Sequence, residues 1–232
     1  MENGKTASPS HEQACGEVAE LFPQRWLRGY VAGKLRADPA FRAAYDLLGE
    51  TAEPILDLGC GVGLLPLYFR RRGFRPAVLG LDIDARKLRL ARLAAEAANC
   101  ADLEFLEHDV LRDLPEFYGN IVLFDVLHYL KPAAQRSLLW KLAMRVAPGG
   151  ILLVRDCPRD PTPRFWATYL GEKFAQGIRW NIRRPLYFPT RESIKGSFPP
   201  NEFTSEEVPM WGGGPFNNRM FIFRRKLAAP LA

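Results

Sequence analysis

Residues 55–69, ILDLGCGVGLLPLYF, decide how this chain is read. A short apolar run, Ile55-Leu56, leads to Asp57, then to glycines at 59, 61 and 63, then to an apolar segment of helical character. Glycine is needed where the backbone turns with positive φ, or where a ligand must touch the main chain with no Cβ in the way. A helix that opens there aims its unpaired N–H groups and the positive end of its dipole at the same spot. A lone glycine turn of this kind is weak evidence. With Asp57 before the first glycine, and Asp82 ending the next apolar run roughly 20 residues on, it becomes a strong signal for a bound cofactor.

Outward from this stretch, apolar runs alternate with helical patterns. Runs are expected at Ile55–Asp57, Val78–Asp82, Leu103–Leu106, Ile121–Phe124 and Ile151–Val154. Helices are expected after the glycine turn, over about 85–98 with Asp84 as its cap, and from Pro132 to just before Pro148-Gly149-Gly150. Five such strands separated by helices imply an α/β fold, a doubly wound parallel sheet with helices on both faces. The last third changes character. Residues 157–200 are rich in Pro, Arg and aromatics, with a helix expected over about 162–176 and a short one opened by Thr190, and then Phe203–Pro209 and Met220–Arg225 read as two strands joined by MWGGGPFNN.

Before the first strand, residues 21–48 divide into two helices near Asp38-Pro39; Trp26, Leu27, Tyr30, Val31 and Leu35 recur at helix spacing, with arginines opposite. The chain therefore parses into a polar, disordered tail over 1–17, a helical cap over 18–50, and a domain over 51–227 carrying a basic and aromatic insertion at about 157–200. The tail has no apolar core of a signal peptide, and no run approaches the roughly 18 residues of a membrane span. Cys15, Cys60, Cys100 and Cys157 show no zinc spacing and read as free thiols in a reducing cytoplasm, with no metal site. The 32 basic residues against 26 acidic ones, a net charge of +6, point to anionic partners.

Four carboxylates, Asp57, Asp82, Asp109 and Asp125, fall at the ends of successive strands, where an open parallel sheet binds its ligand. Any one alone is as well explained as a cap of the next turn. Together, Asp57-Leu-Gly-Cys-Gly-Val-Gly63, Asp82, His108-Asp109, FDVLHYL (124–130) and Ala147-Pro-Gly-Gly150 resemble the motifs of class I S-adenosylmethionine-dependent methyltransferases. The resemblance covers residues 51–156, and the terminal hairpin extends it. It implies a Rossmann-like sheet of seven strands, the last antiparallel and beside the fifth, with N-terminal helices over the cofactor site. It also implies S-adenosylmethionine as cofactor, with S-adenosylhomocysteine as product. The backbone of Gly59, Cys60, Gly61 and Gly63 would meet the methionyl and ribose portion, and Asp57 the ammonium. Asp82 would accept both ribose hydroxyls, Ile83 would lie against adenine, Asp109 and Val110 would read its edge, and Asp125 would face the methionine ammonium. A dinucleotide dehydrogenase also uses such a turn, but here the third glycine comes one residue early and Asp57 would oppose a pyrophosphate.

His128 is the candidate catalytic residue. Its ordinary pKa suits a general base at neutral pH, yet methyl transfer can proceed by positioning alone. His11 falls in the tail and His108 on the adenine side. Candidate substrate contacts are Tyr129; Arg179, Arg183 and Arg184 in RWNIRRPLYFP; and Trp211, Asn217, Asn218 and Arg219 around WGGGPFNN. Arginines among aromatics suit a phosphate or carboxylate on an aromatic body, and also nucleic acid. No Asn/Asp-Pro-Pro-aromatic motif and no RNA-binding module is present. Residues 25–36 read as a lid, a packing helix or a membrane-surface helix. More loosely, the cap and the hairpin resemble methyltransferases of aryl-polyene and polyketide-like pigment pathways. That implies O- or C-methylation of a small or carrier-bound aryl or acyl substrate. The alternatives are an RNA methyltransferase and a non-catalytic S-adenosylmethionine-binding protein.

Overall fold

The computed structural model describes residues 9–227. Its strands are β1 (Ile55–Leu58), β2 (Val78–Asp82), β3 (Leu103–Glu107), β4 (Asn120–Phe124), β5 (Ile151–Asp156), β6 (Phe203–Pro209) and β7 (Arg219–Arg225). They form one sheet in the order β3-β2-β1-β4-β5-β7-β6. β1 to β5 run parallel, and β7 pairs antiparallel with both β5 and β6. The expected seven-stranded Rossmann-like sheet is therefore the observed one. The chain works outward from β1 to β3, then returns to β4 on the other side of β1. Strand order reverses between β1 and β4, and the crevice beyond their carboxyl ends follows from that reversal.

The helices are α1 (His11–Glu20), α2 (Arg25–Ala37), α3 (Pro39–Leu48), α4 (Leu64–Arg71), α5 (Ala85–Ala97), α6 (Pro132–Ala143), α7 (Pro163–Gly177) and α8 (Arg191–Lys195). The sheet's alternation divides the core in two. Val122 and Leu153 pack with Leu27, Tyr68 and Phe69 on one face, whereas Ile121, Leu123, Leu152 and Val154 pack with Leu139 and Phe198 on the other. Local signals set the helix starts. Asp84 accepts from the Arg86 amide at 3.0 Å, Asp38 from Ala40 at 3.1 Å with Pro39 in the first turn, and Thr190 opens α8 with a capping box.

Two expectations for the N-terminal region are corrected. Of the tail expected over 1–17, residues 1–8 lie outside the described residues, but the remainder builds α1. Ser10 and Gln13 form a reciprocal capping box, and Ala14, Cys15, Val18 and Ala19 are buried where α1 packs on α2 and α4. His11, assigned to that tail, hydrogen-bonds Tyr68 Oη at 2.8 Å. In α2 only Leu27, Val31 and Leu35 of the expected stripe are buried. Trp26 and Tyr30 turn outward to meet Trp180, with ring centroids 5.9 and 5.0 Å away.

A buried charge ties the cap to the sheet. Arg155 on β5, 2% exposed, pairs with Asp38 at the α2–α3 junction and with Asp125 just after β4. Its guanidinium also lies over the Phe124 ring, 5.4 Å from the centroid. Lys34 adds a second cation to Asp38 at 2.7 Å. Burial alone would raise the Asp38 pKa, but Arg155 and Lys34 outweigh it and hold the carboxyl well below its usual range. Removing one member of such a group strands the others without a partner. Arg155→Met should thus lower stability by about 3 kcal/mol in urea denaturation. Adding Asp38→Asn and Asp125→Asn should restore part of that loss; no recovery would mean that the three charges do not act as a unit.

Candidate functional site

At the switch point lies a cavity of about 490 Å³. The glycine turn forms one wall. The amides of Gly59 and Cys60 both donate to Leu81 O, at 2.7 and 3.0 Å, which lays the turn against β2. Gly61 has φ +56°, and a Cβ there would meet only the Lys87 side chain, at 3.9 Å, with cavity beyond. Gly63 serves differently. A Cβ there would fall 2.9 Å from the Phe105 ring and 3.0 Å from Ala91, so its smallness lets α4 pack on β3 and α5, and it does not line the cavity.

Asp82 is fixed by two backbone donors, Gly61 N and Asp84 N, each at 2.8 Å on a different oxygen. Each oxygen keeps acceptor capacity toward the cavity. Asp57 is 4% exposed and no cation among the described residues opposes it; burial, and then the charge of Asp82, push its carboxyl up to about 7. A buried carboxylate left without a counter-charge on a cavity wall is suited to receive a cationic group. Ile83, His108, Asp109 and Val110 line the same cavity. Asp109 also caps its own turn, accepting from Leu111 N at 3.0 Å. Asp125 lines the cavity at φ +57°, but its carboxylate is engaged by Arg155, whose Nε donates to Oδ1 at 3.0 Å.

The opposite wall is polar and built from three elements. His128 sits in a turn of 3-10 helix, Leu127–Tyr129, and is 2% exposed. Its Nδ1 lies 2.9 Å from Asp156 Oδ1, and its backbone N–H donates to Oδ2 of the same residue at 3.3 Å. Phe188 stacks on the ring, centroids 5.3 Å apart. The other nitrogen, Nε2, has no hydrogen-bond partner and stands 3.7 Å from Glu172, beyond hydrogen-bond length. Burial lowers the His128 pKa, but Asp156 and Glu172 outweigh it and raise it to about 10. Burial also pushes Glu172 up, yet His128, Tyr129 and Asn181 bring it down to about 2. Tyr129 donates to Glu172, Asn181 donates to Tyr129 Oη at 3.0 Å and to Glu172 at 3.2 Å, and Lys87 donates to Asn181 Oδ1 at 2.9 Å. A chain of polar contacts therefore runs from Asp156 across the cavity to Lys87 beside the glycine turn.

Of the substrate contacts expected from sequence, Tyr129, Arg184 and Asn218 line the cavity. Arg179 and Arg183 are exposed outside it. Trp211 is held between the guanidinium groups of Arg164 and Arg219, 4.8 and 5.3 Å from the ring centroid. Arg219 pairs with Glu207 at 3.2 Å, and Asn217 is buried with its backbone N–H donating to Thr168 Oγ1 at 2.9 Å. These three brace the loop between β6 and β7 instead of facing the cavity. Asp156, Glu172, Asn181 and Lys87 were not singled out from sequence. Asp156 carried a usable signal: it ends β5 as Asp82 ends β2. Lys34 and Tyr30 of α2 and Phe41 of α3 complete the enclosure, so the cap closes one side of the site.

Residues 55–150 match a family model described as a methyltransferase domain. An uncharacterized methyltransferase of Mycobacterium bovis is 36% identical over 163 residues, which cover 65% of this chain and 79% of that protein. Ubiquinone biosynthesis O-methyltransferase of Psychrobacter cryohalolentis is 32% identical over 168 residues, 66% of this chain but 60% of that relative's own length. The crystal structure of magnesium protoporphyrin IX methyltransferase from Synechocystis PCC 6803 with bound S-adenosylhomocysteine has TM-score 0.62 and 18% identity, covering 88% of this chain and 89% of that one. At that identity the likeness is one of fold. Sequence match, strand order and the glycine turn agree, and the chain belongs to the class I S-adenosylmethionine-dependent methyltransferases.

Proposed function

We propose that this protein methylates an oxygen or carbon of a small acceptor held as an anion, a phenol or carboxylic acid on an aryl or acyl body. The observation that carries the reading is His128, clamped by Asp156 on one nitrogen and, on the other, near Glu172 but without a hydrogen bond, in the wall of the cavity that also contains Asp57 and Asp82.

The residues present fit S-adenosylmethionine. Asp57 supplies the buried anion for an ammonium, Asp82 the two oxygens for a ribose diol, and Gly61 the wall without a Cβ. Ile83, Asp109 and Val110 would hold the adenine, and the backbone from Gly59 to Gly61 the remainder. When bound, the cofactor supplies a methyl group activated by a sulfonium. Asp125, engaged by Arg155, would act on the ammonium side through its backbone, held at positive φ.

With its pKa near 10, the His128 ring carries both protons at neutral pH. A ring in that state donates, and we read it as the partner of an anionic acceptor, in place of the general base expected from sequence. Nε2–H pairs with the acceptor anion and favours its ionised form, the acceptor's proton having passed to solvent before the methyl group moves, while Asp156 and Glu172 keep the ring charged and oriented. Leu130 and Ile182 give that acceptor an apolar surround, and Arg184, with Arg183 and Arg179 beyond the wall, favours a negative charge on it or on an acidic carrier that delivers it. The ubiquinone-biosynthesis relatives are named for O-methylation, which supports oxygen first.

Calorimetry with S-adenosylhomocysteine tests the cofactor half. Asp82→Ala and Gly61→Val should each weaken binding by roughly 10- to 150-fold, the equivalent of about 1.5–3 kcal/mol. A cation prefers the ionised form of Asp57, so affinity should rise as pH increases toward about 7 and then level off. Asp57→Asn should abolish that rise; a pH dependence that survives the substitution would remove Asp57 from the ammonium site. For the acceptor half, His128→Ala should lower kcat/KM by roughly 10- to 150-fold, the loss of a charged hydrogen bond worth about 1.5–3 kcal/mol, chiefly through a raised KM. Wild-type activity should fall as pH passes about 10, where the ring loses its second proton. A rising limb near the ordinary imidazole pKa, with no such fall, would restore the general base. Label from radioactive S-adenosylmethionine should enter phenols or carboxylic acids; label in RNA alone would overturn the small-molecule assignment.

A further inference from the structure

The outer face of α7 reverses the usual amphipathic order. Trp166, Leu170, Phe174 and Ile178 recur every four residues and are 55%, 64%, 68% and 60% exposed. They form one line along the helix and its last turn. The inner face of the same helix carries Thr168, Gly171, Glu172 and Ala175 to the cavity wall. Four large apolar side chains in a row, each more than half exposed, form a patch that a freely soluble surface does not explain. Along the segment that carries it, 163–184, the exposed charges have one sign. Lys173, Arg179 and Arg183 are exposed beside the line, while Glu172, the acidic residue of the segment 163–184, is turned into the cavity.

The patch is continuous with the mouth of the cavity. Ile182 and Phe216 both line the cavity and remain exposed. Phe216 lies against α7 at Gly171, where an added methyl would come within 3.1 Å of its ring. Trp180, which also lines the cavity, meets Trp26, itself exposed. An apolar path therefore leads from the outer face of α7 over the lip and into the site.

We propose that the outer face of α7, with Trp26 at its margin, is a docking surface for an anionic lipid bilayer. No helix among the described residues is long and apolar enough to cross a membrane. An interfacial helix needs a row of Trp, Leu, Phe and Ile that enters the acyl boundary and cations that meet the headgroups, and α7 offers both. A second copy across a two-fold axis would bring Lys173, Arg179 and Arg183 toward the same residues of its mate, which like charges oppose. An acidic carrier protein matches the charge, but it must present a shaped pocket for each of four bulky side chains, whereas a bilayer accepts them without one. The expected α2 membrane contact shifts accordingly. The inner face of α2 is buried and Tyr30 and Lys34 face the cavity, so only its Trp26 edge joins this surface. An amphiphilic acceptor would then reach the mouth from the bilayer.

Co-sedimentation of the full chain with vesicles tests the proposal. The protein should bind vesicles of phosphatidylcholine containing phosphatidylglycerol, bind pure phosphatidylcholine far less, and lose binding as salt is raised. Leu170→Ser with Phe174→Ser should lower partitioning by on the order of 100-fold. The thermal midpoint and S-adenosylhomocysteine affinity should stay unchanged, since both side chains are exposed and outside the cavity. Tryptophan emission should shift to the blue on vesicles and lose most of that shift in Trp166→Phe. Failure of the wild type to bind anionic vesicles, or equal binding by the double variant, would overturn the proposal. So would tight binding of an acyl carrier protein that the double variant loses while vesicles bind neither form. None of these readouts uses a methyl acceptor, so they stand or fall apart from the chemistry assigned to His128.

Discussion

The guanidinium of Arg155 is the constraint on which both fold and site rest. Leaving water costs a charge several kcal/mol, and good geometry with partners is what offsets that cost. Here the partners come from two distant places, the junction of α2 and α3 and the turn after β4, and both border the cavity. The pairing that holds the cap on the sheet thus also fixes the backbone of Asp125, whose amide donates to Arg155 O at 2.9 Å. A change that loosens the cap would reach the site through the same atoms.

The next residue along β5 does the corresponding work on the His128 side of the cavity. Consecutive side chains of a strand point to opposite faces, so Arg155 and Asp156 serve two separate networks from adjacent positions. Asp156 orients His128, and α7 brings Glu172 to the far side of that ring. The two carboxylates decide the charge of the imidazole. Both raise its pKa against burial, so the charge on the ring depends on how α7 docks as well as on the residue itself.

Much of the fold was legible because its signals are local. Asp84 before an Ala/Leu/Arg run, Asp38-Pro39 and Thr190 all open helices where their side chains cap the first turn. The five apolar runs became the five parallel strands, within a residue or two at their ends. The α1 helix was not recognised, because its buried face is made of Ala14, Cys15, Val18 and Ala19, too small to stand out in a polar stretch, although Ser10 and Gln13 spelled its cap. For the site, the glycine turn and strand-end acids are properties of single β–α units and could be read directly. Glu172 and Asn181 join His128 and Tyr129 only through tertiary approach of α7 and the segment after it. Trp211 and Arg219 fall at the cavity end of the sheet, as expected, yet turn into contacts with Arg164 and Glu207 that spacing alone does not reveal.

The bond between Asp38 and Arg155 joins residues 117 positions apart in sequence. During synthesis α1, α2 and α3 emerge before the strands they cover. Leu27, Val31 and Leu35 must wait for the sheet, and Asp38 for a partner on its fifth strand. Contacts of such long separation close late and slow the search for the native state. Until β5 has emerged, the nascent cap is therefore open to chaperones, and to aggregation with other unfinished chains.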